Sequence, residues 1–159
     1  MFAQNSAFPR LLLIATLFSV TAPAVRAGET ADRDKLAGKW QPAEGQKSDY
    51  GTWTLEANDT GVRVLKESNG QKVAEYECNT MGRECEVKED GHSAKVSMWF
   101  NGPKLVQMMT RGSEVVKRRF HVTGDTNTLE LEIIPIAPAG KTEVVRLIRC
   151  QPETQARQN

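Results

Sequence analysis

The chain has 159 residues, with 21 Lys+Arg against 20 Asp+Glu and a formal net charge of +1 at pH 7. Both signs are interleaved along it, so no strong field faces nucleic acid or an anionic membrane, and neither is expected as a partner. The length suits one domain, which buries roughly two-thirds of its unfolded surface and sustains a core without relying on disulfides.

Residues 1–27 read as a cleavable leader rather than as part of the fold. Arg10 precedes an apolar stretch from Leu11 to Val20, and Val25-Arg26-Ala27 offers acceptable residues at the usual cleavage positions. Such a stretch is about half the roughly twenty residues needed to cross a bilayer core. No cysteine lies near the cleavage point, so a lipid anchor is not supported. The mature chain, residues 28–159, is expected to be secreted or periplasmic, with no stable membrane anchor. Arg10 and Arg26 leave with the leader, so 21 less two gives 19 basic residues against 20 acidic ones.

Residues 32–37 read as a short helical turn, with Asp32 or an earlier Thr placed to cap it and Gly38 to end it. Lys39-Trp40 then starts a first strand. From residue 51 to residue 150 the chain is cut by Asp59-Thr60-Gly61, Asn69-Gly70, Asp90-Gly91, Asn101-Gly102, Arg111-Gly112, Gly124-Asp125 and Ala139-Gly140. Asn-Gly and Asp-Gly tolerate positive φ and suit the type I′ turns of hairpins. The intervals predict strands over residues 52–56, 62–67, 72–78, 84–88, 93–100, 105–110, 114–123, 128–134 and 142–150. Alternation is clear in the run with Ala94, Val96, Met98 and Phe100 on one face and Ser93, Lys95, Ser97 and Trp99 on the other. A two-residue turn at Asn69-Gly70 would set Glu67 opposite Lys72 and Leu65 opposite Ala74. The tail, residues 151–159, has neither apolar period nor turn logic. These patterns give an all-β fold, an antiparallel up-and-down meander closing into a barrel of eight to ten strands. A two-sheet sandwich is the alternative, with the polar stretch from Trp40 to Gly51 as its crossover.

The segment Leu36-Ala37-Gly38-Lys39-Trp40 resembles the opening of a lipocalin-like (calycin) protein, in which a short helical turn leads into Gly-x-Trp on strand one of such a barrel. The chain looks like small secreted bacterial proteins of this type that lack an assigned role. The resemblance implies that Trp40 packs at the closed barrel end beneath a basic residue from a late strand, a part that Arg146 or Arg149 fits. A second signature, a Thr-Asp-Tyr-like turn, is not visible.

Three cysteines remain. Cys78 and Cys85 bracket a six-residue loop between strand-like runs, and in an exported chain they are expected to form a disulfide. Cys150 is then a small hydrophobe near the last strand; the lipocalin resemblance also allows it to pair with either of the others. Neither the spacing of Cys78 and Cys85 nor the two histidines, His92 and His121, suits a metal site. On a strand, Lys117, Arg119 and His121 share a solvated face. Arg118 joins Phe120 and Val122 on the other, where inside a barrel it can hold a carboxylate. Glutamates that alternate with apolar residues read as solvent-facing.

No Gly-x-Ser-x-Gly elbow, His-Glu-x-x-His helix or phosphate-cradling loop occurs, so no catalytic residues, metal or cofactor are assigned and the chain reads as non-enzymatic. Two functions fit. A small apolar or amphipathic molecule would occupy the barrel, lined by Trp53, Leu55, Met98, Phe100 and Met109. Alternatively the chain is an interaction or inhibitor protein acting on a protein partner through its loops, including the tied Cys78–Cys85 loop.

Overall fold

Residues 27–151 of a computed structural model are described, and they form one helix and ten strands. The leader assigned to residues 1–27 thus lies outside the described residues save for Ala27, and the tail save for Gln151. Helix α1 (Ala27–Leu36) leads into β1 (Gly38–Pro42), and a 3₁₀ turn at Ser48–Tyr50 precedes β2 (Thr52–Ala57). The meander continues through β3 (Gly61–Ser68), β4 (Gln71–Asn79), β5 (Cys85–Glu89), β6 (His92–Asn101), β7 (Lys104–Arg111), β8 (Glu114–Val122), β9 (Thr128–Ala137) and β10 (Glu143–Arg149). Every neighbouring pair is antiparallel, and β1 pairs with β10 through Trp40↔Arg149, so the sheet closes into a barrel with no open edge. The sandwich alternative is thereby excluded, and the link after β1 joins adjacent strands instead of crossing between sheets.

Local chemistry places these elements. Asn69 and Gly70 have φ of 51° and 73°, and Asp90 and Gly91 have 53° and 77°, the paired positive values of hairpin turns that match strand twist. At the β2–β3 turn, Asn58 Oδ1 accepts from the amides of Thr60 and Gly61. At the β8–β9 turn, Asp125 accepts from the hydroxyls of Thr123 and Thr128 and two backbone amides, which hold its carboxyl down at about 2.

One register differs from expectation. Glu67 does face Lys72, but a bulge follows and sets Lys66 opposite Ala74 and Leu65 opposite Glu75. Val73 is the extra residue, and its carbonyl accepts the Asp90 amide from the neighbouring turn at 2.8 Å. The Glu67 carboxylate reaches Lys39 on β1 at 3.0 Å, while Lys72 pairs with Glu75.

The core lies inside the barrel, where Trp40, Leu55, Val64, Met98, Phe120 and Leu131 are fully buried. Helix α1 closes one end. Trp40 donates from Nε1 to the Leu36 carbonyl at 3.0 Å, and the guanidinium carbon of Arg149 lies 4.2 Å from its ring centroid. Arg149 also donates to the carbonyls of Ala37, Lys35 and Thr126 at 2.6, 2.6 and 3.1 Å, tying the helix end to the barrel rim. A side chain at Gly38 would run into that guanidinium, which gives the Gly-x-Trp spacing its physical reason. Of the two candidate arginines, Arg146 does not cover Trp40. Its side chain is 69% exposed and points outward, 3.9 Å from Glu130, because it is one alternation out of phase with Arg149.

Cys78 and Cys85 form a disulfide, and Cys150 is free and half-buried. The bond lies across the weakest seam of the barrel. Between β4 and β5 the ladder holds a single pair, Ala74↔Glu89, and continuing that register sets Cys78 directly opposite Cys85. Closing so short a loop stabilises by about 2–3 kcal/mol through the unfolded chain. The Cys78→Ser/Cys85→Ser variant should lose that amount in urea titrations, and its seam amides should exchange faster than those of other strands.

Candidate functional site

At the end opposite α1, polar side chains interrupt the inward apolar face. Along β3 the inward positions are Val62, Val64 and then Lys66; along β5 they are Val87 and Glu89. On β7 Gln107 stands between Leu105 and Met109, and on β8 Arg118 between Val116 and Phe120. Adjacent registers bring them together. Trp53, Lys66, Ala74 and Glu89 form one continuous cross-strand row over β2 to β5, and Gln107 faces Arg118 on β7 and β8. The Val73 bulge completes that row, because it sets Ala74 rather than Val73 beside Lys66.

The side chains of Lys66, Glu89 and Arg118 are only 15%, 5% and 12% exposed. Glu89 Oε1 accepts from Lys66 Nζ at 2.8 Å and from Arg118 Nη2 at 3.1 Å, while Oε2 accepts from Arg118 Nη1 at 3.2 Å. This is a forked arginine–carboxylate pair with a second cation added. Arg118 Nη1 also donates to Gln107 Oε1 at 3.0 Å, and Gln107 Nε2 donates to the Tyr76 hydroxyl oxygen at 2.7 Å. Both cations lie beside the ring of Trp53, at 5.2 and 5.3 Å from its centroid.

Charge follows from this geometry. Burial pushes the Glu89 carboxyl up, but the adjacent Arg118 and Lys66 outweigh it and hold it below the usual range. Burial raises the Tyr76 phenol to about 12 against the opposing pull of Arg118, so it stays protonated at neutral pH. Two cations share one carboxylate within the trio, while Arg111, Asp90 and Glu114 beside it bring the charges around the adjoining cavity to three of each sign. The cavity is lined in part by Met109, Val116, Arg111 and Glu114 and measures about 140 Å³. That is well under the roughly 300–1,000 Å³ of ordinary small-molecule sites.

The residues predicted to line a ligand site are divided by the fold. Met109 borders the cavity, and Trp53 lies beneath the two cations. Leu55 and Met98 are fully buried in the core, and Trp53 packs edge-on against Phe120 at 5.4 Å. Phe100 belongs to the helix-capped end, where Arg33 lies 5.1 Å from its ring centroid. Arg118 does point inward and does hold a carboxylate, but one from the chain itself. Glu89 corrects the reading of alternating glutamates as solvent-facing, since it is 3% exposed and sits just beyond the predicted run 84–88. On the outside, Arg119 pairs with Glu132, as its solvated face requires. Lys66, Tyr76, Glu89 and Gln107 were not singled out from sequence. Their signal was a polar residue standing in phase with buried apolar ones.

No protein-family model matches the sequence, and no curated protein matches it significantly. Solved structures do resemble the fold. A Schistosoma mansoni fatty acid binding protein in complex with arachidonic acid aligns with a TM-score of 0.62 at 18% identity, over 76% of this chain and 99% of that one. Secretory abundant heat soluble protein 4 from Ramazzottius varieornatus gives 0.57 at 18% identity, over 74% and 96%. A fatty-acid-binding protein from Drosophila melanogaster brain gives 0.55 at 15% identity, over 72% and 99%. At these identities the likeness shows the fold, a calycin-type barrel.

Proposed function

We propose that this chain is an exported, non-enzymatic barrel that binds a small acidic amphipathic molecule, its headgroup at Lys66 and Arg118 and its tail among the apolar residues within. The single observation that carries the reading is the buried ion cluster, two cations sharing one carboxylate, at the mouth of an otherwise apolar interior. Burying ion pairs is often no more stabilising than apolar packing of the same volume, so such a cluster is better explained by recognition than by stability. Met98 and Met109 supply adaptable surface for a tail. One structural neighbour is in complex with arachidonic acid and another is a fatty-acid-binding protein, which supports an apolar ligand, and the disulfide supports export.

Native mass spectrometry of protein purified from its own host tests this directly. A co-purifying small acid is the expected result; a barrel that is empty and also fails to bind a dansyl-labelled undecanoic acid overturns the reading. The loop reading also has one observation in its favour. Met81 is 71% exposed on the loop tied by Cys78 and Cys85, an adaptable apolar side chain on a constrained turn. Deleting residues 79–84 should abolish capture of a protein partner if this second reading holds, and unchanged capture rejects it.

A further inference from the structure

The anion that satisfies the two internal cations comes from a strand that borders the weakest seam of the barrel. β5 has five residues and meets β4 through one ladder pair, Ala74↔Glu89, reinforced by the Asp90 amide on the Val73 carbonyl and by the disulfide at its far end. Glu89 therefore has two tasks. Its backbone makes the only ladder contact across the described β4–β5 seam, and its carboxylate pins the same strand end to β3 through Lys66 and to β8 through Arg118. The outer side of the seam is a cleft lined by Glu75, Tyr76, Val87 and Lys88 among others.

We propose that Glu89 is a resident stand-in for the ligand headgroup and a latch on the seam. This rests on the reading of the barrel as a site for an acidic amphipath, and adds how it is filled. The incoming carboxylate replaces that of Glu89 at Lys66 and Arg118, an exchange of one ion pair for another that leaves the charge count at the cations unchanged. Glu89 then swings toward solvent at the barrel mouth, the end of β5 loses its ties to β3 and β8, and the seam loosens. The loosening supplies the room that the 140 Å³ cavity lacks for a tail. The ligand class is thus a monocarboxylic acid with an apolar tail, since a neutral analogue has nothing to exchange.

The test compares a dansyl-labelled undecanoic acid with its methyl ester on the wild-type chain and on Glu89→Gln. With the seat vacated, the acid should bind the variant about tenfold or more tightly than wild type, because the competent state no longer has to be reached against the resident carboxylate. The ester gains only the loosened seam and no partner at Lys66 and Arg118, so it should improve by a clearly smaller factor than the acid. In the wild-type chain, saturation with the acid should also speed hydrogen exchange at the Asp90 amide, which bridges the seam, with the β9–β10 amides unchanged. Exchange at Asp90 decides the matter even if the variant does not fold. If the acid binds both proteins equally and Asp90 stays protected, the latch is wrong and the binding reading survives. If neither probe binds either protein, the reading fails and the latch with it.

Discussion

Glu89→Ala should cost about 3–5 kcal/mol of folding stability, the penalty for leaving Lys66 and Arg118 buried without their shared counter-ion. The cost comes less from the lost attraction than from two desolvated cations that then face each other across the barrel. Replacing all three residues by apolar ones, Lys66→Met, Glu89→Leu and Arg118→Met together, should recover most of that loss or exceed the wild type, since apolar packing involves no charge burial. Urea titrations of the two variants provide the comparison. A single substitution that costs under about 1 kcal/mol would place the cluster among solvated surface pairs and remove the basis for reading it as a site.

The same group sets an acid limit. The Glu89 pKa in the folded chain lies below its ordinary value of 4.5, so its contribution is complete above that value. It is lost as pH falls through the folded pKa, where protonation breaks both ion pairs. The acid unfolding transition of wild type should therefore be steeper below pH 4.5 than that of the apolar triple variant.

At the other end, Trp40→Ala should cost about 3–5 kcal/mol, the range for truncating a large buried aromatic. Trp40→Phe isolates part of the cause. It keeps most of the apolar volume but loses the indole donor to the Leu36 carbonyl, a bond worth about 1 kcal/mol. Arg149→Ala should release the helix end, because its guanidinium holds the carbonyls of Lys35 and Ala37. A double-mutant cycle of Trp40 with Arg149 should give a coupling of about 1 kcal/mol, from the cation stacked on the ring. Coupling at zero would mean that the two residues support the helix independently.

Much of the barrel is local and so can be read along the chain. Asn69-Gly70 and Asp90-Gly91 make turns because their own backbones accept positive φ, and the strands between them keep a period of two with no help from elsewhere. Residues 93–100 became β6, His92–Asn101, with Ala94, Val96 and Met98 buried as their alternation required. The disulfide was equally legible, since Cys78 and Cys85 are a hairpin apart.

Tertiary structure decided the rest. Which arginine covers Trp40 depends on how β10 pairs with β1, a contact more than a hundred residues apart in sequence; Arg149 is in phase and Arg146 is not. The site depends on a one-residue bulge at Val73, which no composition signals and which brings Lys66 into the row that ends at Glu89. Sequence alone determines where this chain turns and which side chains share a face, because both are properties of neighbouring residues. Whether a glutamate on such a face meets water or two cations is settled only when distant strands close around it, since burial and charge pairing are properties of the whole barrel.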